Sequence, residues 1–378
     1  MNNLIKRNIG KLILKKLVPN KVLIILGARR TGKTVLLHEL LKKLKEPHIL
    51  LNGEDILTYE QLSRRSIKNY RNLLGDVRLL IIDESQKIPD IGLILKLMVD
   101  GINGLKIIVT GSSAFDISGK LGEPLTGRKI TFNLFPFSES ELLQTEDEIG
   151  KKENLRERLV FGNYPELTFI NNRNDKELYL RELINSYLLK DILAFENIRS
   201  SSKIIELLKL ISFQIGSEVS LNELGMKLSI NKGTVEKYLD LMTKVFILHK
   251  VTGFSRNLRK EVTKSSKWYF LDNGIRNAII NNFALFNQRD DVGKLWENYI
   301  ISERIKYQNE KQYYCNNYFW RTYDKKEIDW VEEKDGKLTA TEFKWKEQKR
   351  KEPLIWKKTY PDSKFQFILS DNYFDWLK

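Results

Sequence analysis

The chain has 378 residues, 30% charged and 42% hydrophobic, with 64 Lys+Arg against 49 Asp+Glu for a formal charge of +15. This length suits two or three domains of roughly 100 to 200 residues each. The apolar share excludes a chain disordered throughout, and the basic excess favours an anionic partner, nucleic acid with DNA first, over a merely solubilising surface.

A single cysteine, Cys315, excludes an intramolecular disulfide framework and a cysteine zinc cluster, and points to a reducing, cytoplasmic setting. His38, His48 and His249 are scattered without metal-ligand spacing. No apolar stretch approaches the roughly 20 residues that cross a bilayer, so no membrane partner is expected. Residues 1–18 alternate Lys6, Arg7, Lys11, Lys15 and Lys16 with Leu4, Ile5, Ile9, Leu12, Ile13 and Leu17. That is the period of an amphipathic helix leading into the first strand, and no small-residue cleavage site follows it.

Residues 22–26 form an apolar run of strand length, followed by Gly27-Ala28-Arg29-Arg30-Thr31-Gly32-Lys33-Thr34 and then a helical pattern over residues 35–41. Strand, glycine loop and helix are the setting in which G-x-x-x-x-G-K-T binds a nucleotide. Backbone N–H groups and the helix N-terminus cradle phosphates, Lys33 neutralises their charge and Thr34 binds magnesium. ATP and Mg2+ are therefore the expected cofactors. A second buried strand, Arg78 followed by the apolar run 79–82, ends in Asp83-Glu84. Asp83 is expected to hold magnesium through its hydration shell and Glu84 to polarise the attacking water; the alternative is a pair of helix-capping carboxylates. A third run, residues 105–109, ends in Thr110-Gly111-Ser112-Ser113. Thr110 or Ser112 is placed to sense the γ-phosphate, unless this is only a turn.

Together with Leu125-Thr126-Gly127-Arg128 and Leu134-Phe135-Pro136-Phe137-Ser138, these blocks resemble archaeal and bacterial AAA-type ATPases whose C-terminal half is a domain of unknown function. The resemblance runs on through residues 161–166 (FGNYPE), 187–191 (YLLKD), 268–276 (WYFLDNGIR) and 295–298 (LWEN). Ala28 stands where the family usually has Pro, and Gly162-Asn163 where it has Gly-Gly; neither change touches a catalytic group. The resemblance implies that Arg128 reaches a phosphate in the manner of an arginine finger, a neighbouring copy's included, and hence self-association through the ATPase domain. A structural salt bridge is the equal alternative for Arg128.

From residue 154 to about 199 the pattern is helical, with Leu155, Leu159, Leu178, Leu183, Ile184, Leu188 and Leu189 on apolar faces, as in a lid. Helical patterns over residues 204–215, 220–228 and 231–242, then a strand over 245–252, follow the order of a winged helix-turn-helix. Asn231, Lys232, Thr234 and Lys237 would then face DNA, or the module docks protein instead. Farther on, Glu297 lies on a helix and strands are expected around residues 317–323, 327–331 and 338–343. Asp329 within E-I-D-W, and Glu342 and Lys344 within E-F-K, resemble the set of restriction-endonuclease-like folds. There Glu297, Asp329 and Glu342 hold a divalent ion and Lys344 steadies the attacking water or the phosphate. Related domains also keep the fold and only bind nucleic acid, which leaves cleavage open. Trp320, Trp330, Trp345 and Trp356 read as sheet packing.

The expected fold class is α/β. An AAA-type P-loop NTPase domain with a parallel sheet (residues 1–150) is followed by a helical lid (151–202), a winged helix-turn-helix (203–255) and a restriction-endonuclease-like domain (256–378). The expected function is an ATPase coupled to a DNA-associated C-terminal half, conditionally a nuclease. The alternative is an ATP-gated docking switch with little turnover.

Overall fold

A computed structural model describes residues 4–112, 125–146, 148–185, 201–255, 266–322, 325–347 and 351–377. The chain divides into two compact units, residues 1–137 with 244–246, and residues 138–243 with 247–378.

In the first unit, α1 (Ile9–Lys16) leads into β1 (Lys21–Leu26) and α2 (Lys33–Leu41). β2 (His48–Asn52), α3 (Ile56–Ser63), α4 (Ile67–Leu74), β3 (Leu79–Asp83), α5 (Ile91–Gly101), β4 (Lys106–Gly111) and β5 (Lys129–Asn133) follow. The five strands form one parallel sheet in the order β2-β3-β4-β1-β5. Strands buried on both faces read as unbroken apolar runs, because helices cover each side of a parallel sheet. Along β1, Val22, Ile24 and Leu26 meet α4 and α5 side chains such as Tyr70, Ile94 and Met98 on one face. Leu23 and Ile25 meet Ile9 and Ile13 of α1 and Leu36, Leu37 and Leu40 of α2 on the other. The opening helix is shorter than its charge pattern suggests, covering residues 9–16.

The second unit opens with α6 (Glu139–Leu142), started by a capping box in which Ser138 and Glu141 each bond the other's backbone. Next come α7 (Glu148–Phe161), α8 (Arg173–Leu183), α9 (Ser201–Phe213), β6 (Glu218–Val219), α10 (Leu221–Leu228) and α11 (Lys232–Lys244). β7 (Leu248–Gly253), β8 (Ser266–Phe270), α12 (Asn273–Ile279) and α13 (Val292–Lys311) lead to β9 (Asn316–Arg321) and β10 (Glu327–Lys334). β11 (Lys337–Lys344), α14 (Leu354–Thr359), β12 (Lys364–Leu369) and α15 (Tyr373–Trp376) complete it. A seven-stranded sheet runs β12-β11-β10-β9-β7-β8-β6. It is antiparallel except where β11 meets β12 and β7 meets β9. The three helices α9 to α11 and their antiparallel strands β6 to β8 thus share a sheet with the C-terminal strands. Trp320 on β9 and Trp330 on β10 are buried in the core; Trp356 is buried too, but on helix α14 rather than in the sheet, and Trp345 follows β11 half-buried.

Residues 186–200, which include the Tyr187–Asp191 block and the lid positions Leu188 and Leu189, lie outside the described residues, as does Ser113. Among the described residues, no helix is long and apolar enough to cross a membrane.

Candidate nucleotide site

The phosphate loop leaves the C-terminal edge of the sheet between β1 and α2, where ligands of parallel sheets sit. Two backbone requirements fix its sequence. Gly32, at φ +90, occupies the left-handed region that glycine enters without a Cβ penalty. Gly27 faces backbone so closely that a Cβ there would lie 2.3 Å from the Leu134 carbonyl oxygen. Arg30 also takes left-handed backbone, at φ +65, while Ala28 and Thr31 are buried and the Thr31 hydroxyl donates to the Ala28 carbonyl at 2.8 Å. The Lys33 ammonium is buried against its own loop, donating to the carbonyls of Gly27 (3.0 Å) and Ala28 (2.9 Å).

β3 and β4 bring the remaining groups to the same edge in one hydrogen-bonded chain. The Thr34 hydroxyl donates to Asp83 Oδ2 at 2.8 Å, and the Thr110 hydroxyl donates to Asp83 Oδ1. The Glu84 amide donates to Thr110 Oγ1 at 3.0 Å. Glu84 stands in left-handed backbone at φ +50, with Gly53 packed against its carbonyl. The Gln86 amide donates to Glu84 Oε2 and, at 3.1 Å, to Ser112 Oγ. Hydroxyl and carboxylate oxygens side by side at Thr34 and Asp83 are the hard donors that Mg2+ takes, alongside phosphate oxygens. Lys33, Thr34, Asp83, Glu84, Thr110 and Ser112 therefore converge as their sequence positions suggest.

Arg128 lies elsewhere. Its carbonyl accepts from Val22 N at the start of β1, at the sheet edge opposite the phosphate loop and roughly 13 Å of strand away at about 3.3 Å per residue. Its guanidinium pairs with Asp100 at 2.6 Å, both side chains being partly exposed.

At the nucleotide site, two groups carry no signal in the sequence that points to their place there. Arg7, whose pattern is that of a helix's polar face, precedes α1 and donates to the carbonyls of Thr31 (2.9 Å) and Phe135 (2.6 Å), tying the phosphate loop from outside. Gln86 falls in a short turn that carries no motif, two residues after Glu84.

In the second unit, β10 and β11 bring Asp329, Glu342 and Lys344 together. The Lys344 ammonium lies 3.1 Å from Glu342 and 3.5 Å from Asp329, and the Phe343 amide donates to Asp329 Oδ2 at 2.9 Å. Glu297 is held differently. Tyr269 donates to its Oε1 at 2.7 Å, Lys267 lies 3.8 Å from the same oxygen, and its carboxylate packs on Gly216. Lys267 is 1% exposed and also pairs with Glu327. Burial, with the Asp329 charge nearby, pushes Glu297 up to about 7, and the same two causes raise Glu342. Glu297, Asp329 and Glu342 are the expected metal-holding trio; among the described residues, no group of three or more His, Cys, Asp or Glu is arranged to hold a metal ion. Two ammonium groups, Lys267 and Lys344, stand against one oxygen of each of these carboxylates. The sequence reading missed Lys267 and Tyr269, whose i, i+2 spacing on β8 puts both on one face.

Three family models match successive parts of the chain. Residues 19–143 match an AAA domain, residues 152–285 a domain of unknown function (DUF8612), and residues 292–371 another (DUF4143). An uncharacterized protein of Methanocaldococcus jannaschii is 26% identical over 328 residues, 79% of this chain and 70% of that protein. An uncharacterized protein of Mycobacterium tuberculosis is 24% identical over 326 residues, 85% of this chain and 70% of the relative. Among solved structures, a variant of Thermotoga maritima RuvB is 16% identical, covering 61% of this chain and 81% of its own at a TM-score of 0.30. The first unit carries an AAA-type P-loop ATPase domain, and the C-terminal part carries the second of the two domains of unknown function.

Proposed function

We propose that this chain binds ATP with Mg2+, hydrolyses the β–γ anhydride, and uses the nucleotide cycle to control a nucleic-acid-associated second unit. The observation that carries the first part is the single hydrogen-bonded chain from Thr34 through Asp83 and Thr110 to Glu84, beside a phosphate loop whose lysine is within reach. On nucleotide binding, Lys33 exchanges two backbone carbonyls for phosphate oxygens. Thr34 and Asp83 would hold the Mg2+, whose charge would offset that of the phosphates. Glu84, its amide fixed by Thr110, orients the water. Charge on the γ-phosphate is then met by groups already in place.

Nucleic-acid association, DNA first, is supported by the +15 charge and by the order α9, β6, α10, α11, β7, β8, which is that of a winged helix-turn-helix. Asn231 and Thr234 are engaged at the start of α11, Asn231 Oδ1 accepting from the Thr234 amide at 2.8 Å. The exposed Lys232 and Lys237 are then the phosphate-contacting candidates. Binding is favoured over cleavage, because lysines compensate the carboxylates of the nuclease-like cluster. Self-association through the ATPase domain is part of the same reading, with Arg128 serving a neighbouring copy.

The test is ATP hydrolysis by the purified protein in low salt, with and without double-stranded DNA, against Glu84→Gln. DNA-stimulated turnover lost in the variant is the expected result. Tight ATP binding with no Glu84-dependent turnover would instead favour a nucleotide-gated docking switch.

A further inference from the structure

We infer that Gln86 is a second water-holding residue of the nucleotide site, accepting a hydrogen bond from the same water that Glu84 polarises; this rests on the ATPase reading above. Gln86 belongs to the short turn Ser85–Lys87 that follows β3. The turn is pinned to β4, the Ser85 hydroxyl donating to the Thr110 carbonyl at 2.8 Å. The Gln86 side chain is buried, and its Nε2 donates to both Glu84 Oε2 and Ser112 Oγ. A carboxylate can only face the N–H side of the carboxamide, so the neighbouring Glu84 fixes which end is oxygen. That oxygen, Oε1, is buried with no hydrogen-bond partner among the described residues.

Nearly every buried acceptor in a folded protein is satisfied, and an orphan beside reactive groups calls for a donor that arrives with the ligand. Its surroundings name the donor. Gly111 pairs with Leu26, and Gly27 N donates to Gly111 O at 3.3 Å, so Ser112 and the carboxamide bonded to it stand beside the phosphate loop. A water there has two protons to place. One hydrogen bond goes to the Glu84 carboxylate, the other to Gln86 Oε1, and a lone pair is left aimed at the γ-phosphorus.

In the step itself the water oxygen forms the new bond to phosphorus while the bond to the β–γ bridging oxygen breaks. ADP leaves with that electron pair. The water's proton passes to Glu84 and then to a product phosphate. Gln86 exchanges no proton; it restricts the water's orientation, which is where catalysis by positioning arises.

The experiment is steady-state hydrolysis together with binding of a fluorescent ATP analogue. Gln86→Leu keeps the bulk and removes the acceptor: kcat should fall about 100-fold, as for loss of one oriented polar group at a transition state. KM and analogue affinity should stay within about twofold, since uniform binding is untouched. Glu84→Gln with Gln86→Leu should be no slower than Glu84→Gln alone, because residues acting on one water lose activity as a unit. Gln86→Met also keeps length and bulk but offers only a weak thioether acceptor, so kcat should again fall with analogue affinity held. A wild-type kcat in Gln86→Leu, a loss carried by KM, or an additive double variant would overturn the assignment. Should Gln86→Leu fail to bind the analogue, a wild-type kcat in Gln86→Met would overturn it as well. Wild-type protein without Glu84-dependent turnover would bring down the ATPase reading first and this inference with it.

Discussion

Gly53 follows β2, and its amide donates to the Asp83 carbonyl at 2.8 Å, so it lies directly behind the two acids of the nucleotide site. A Cβ at this position would sit 2.4 Å from the Glu84 carbonyl oxygen and 3.0 Å from its carbon. Ordinary contact begins near 3.4 Å, so Gly53→Ala must move the Glu84 peptide by about 1 Å, and the obstacle is backbone that no rotamer change relieves. Forced overpacking of this kind costs about 1–3 kcal/mol. In a unit of this size that lowers Tm by several degrees, on the order of 3–10 °C. The functional loss should be larger. Glu84 is held by Thr110 and Gln86 in left-handed backbone, and a misplacement of about 1 Å costs roughly 100-fold in rate. Thermal melting and steady-state hydrolysis of Gly53→Ala measure both effects. Gly293→Ala serves as control, since a Cβ there meets nothing within 4 Å. Wild-type kcat together with wild-type Tm in Gly53→Ala would refute the claim that close backbone packing sets the position of Glu84.

Glu303 is buried, and its burial pushes it up to about 7 from 4.5 despite Lys306 at 2.6 Å. The folded state therefore holds a proton that the unfolded chain has released, and stability falls as pH rises from 4.5 to 7. Relative to wild type, Glu303→Gln should gain on the order of 3 kcal/mol between pH 4 and pH 8; denaturant titrations at both pH values check this, and a constant gap would refute it. Lys267→Ala removes one of two ammonium groups from among Glu297, Glu327, Asp329 and Glu342. In metal-free buffer at neutral pH it should destabilise the protein by about 3 kcal/mol. It should also create a Mn2+-dependent thermal shift that nucleotide-free wild type lacks; a wild-type shift abolished by Asp329→Ala would refute the compensated-charge account. The Arg128–Asp100 pair is exposed, so Arg128→Ala should change stability by less than about 1 kcal/mol. Turnover of dilute protein should hold, whereas a loss appearing only at concentrations where the chain self-associates would assign Arg128 to a neighbour's site.

What the sequence determined by itself was local. The apolar runs at residues 22–26 and 79–82 can bury both faces only inside a covered parallel sheet, so their ends had to meet at one edge. With a glycine loop after the first and two acids after the second, the places of Lys33, Thr34, Asp83 and Glu84 followed from chain direction and strand spacing. Side-chain pairing across elements was not legible in this way, because it depends on register and on which charge lies within a few ångströms. Tertiary structure decided that Arg128 faces Asp100, that Arg7 ties the phosphate loop, and that Gln86 joins Glu84 to Ser112. It also decided the fate of the E-I-D-W and E-F-K residues. Their spacing shows that the acids can share a face, but only the packed sheet brings Lys267 from β8 against Glu297, so that buried charge is met by ammonium groups. A buried carboxylate takes the nearest compensating charge, and which one is nearest is a property of the fold.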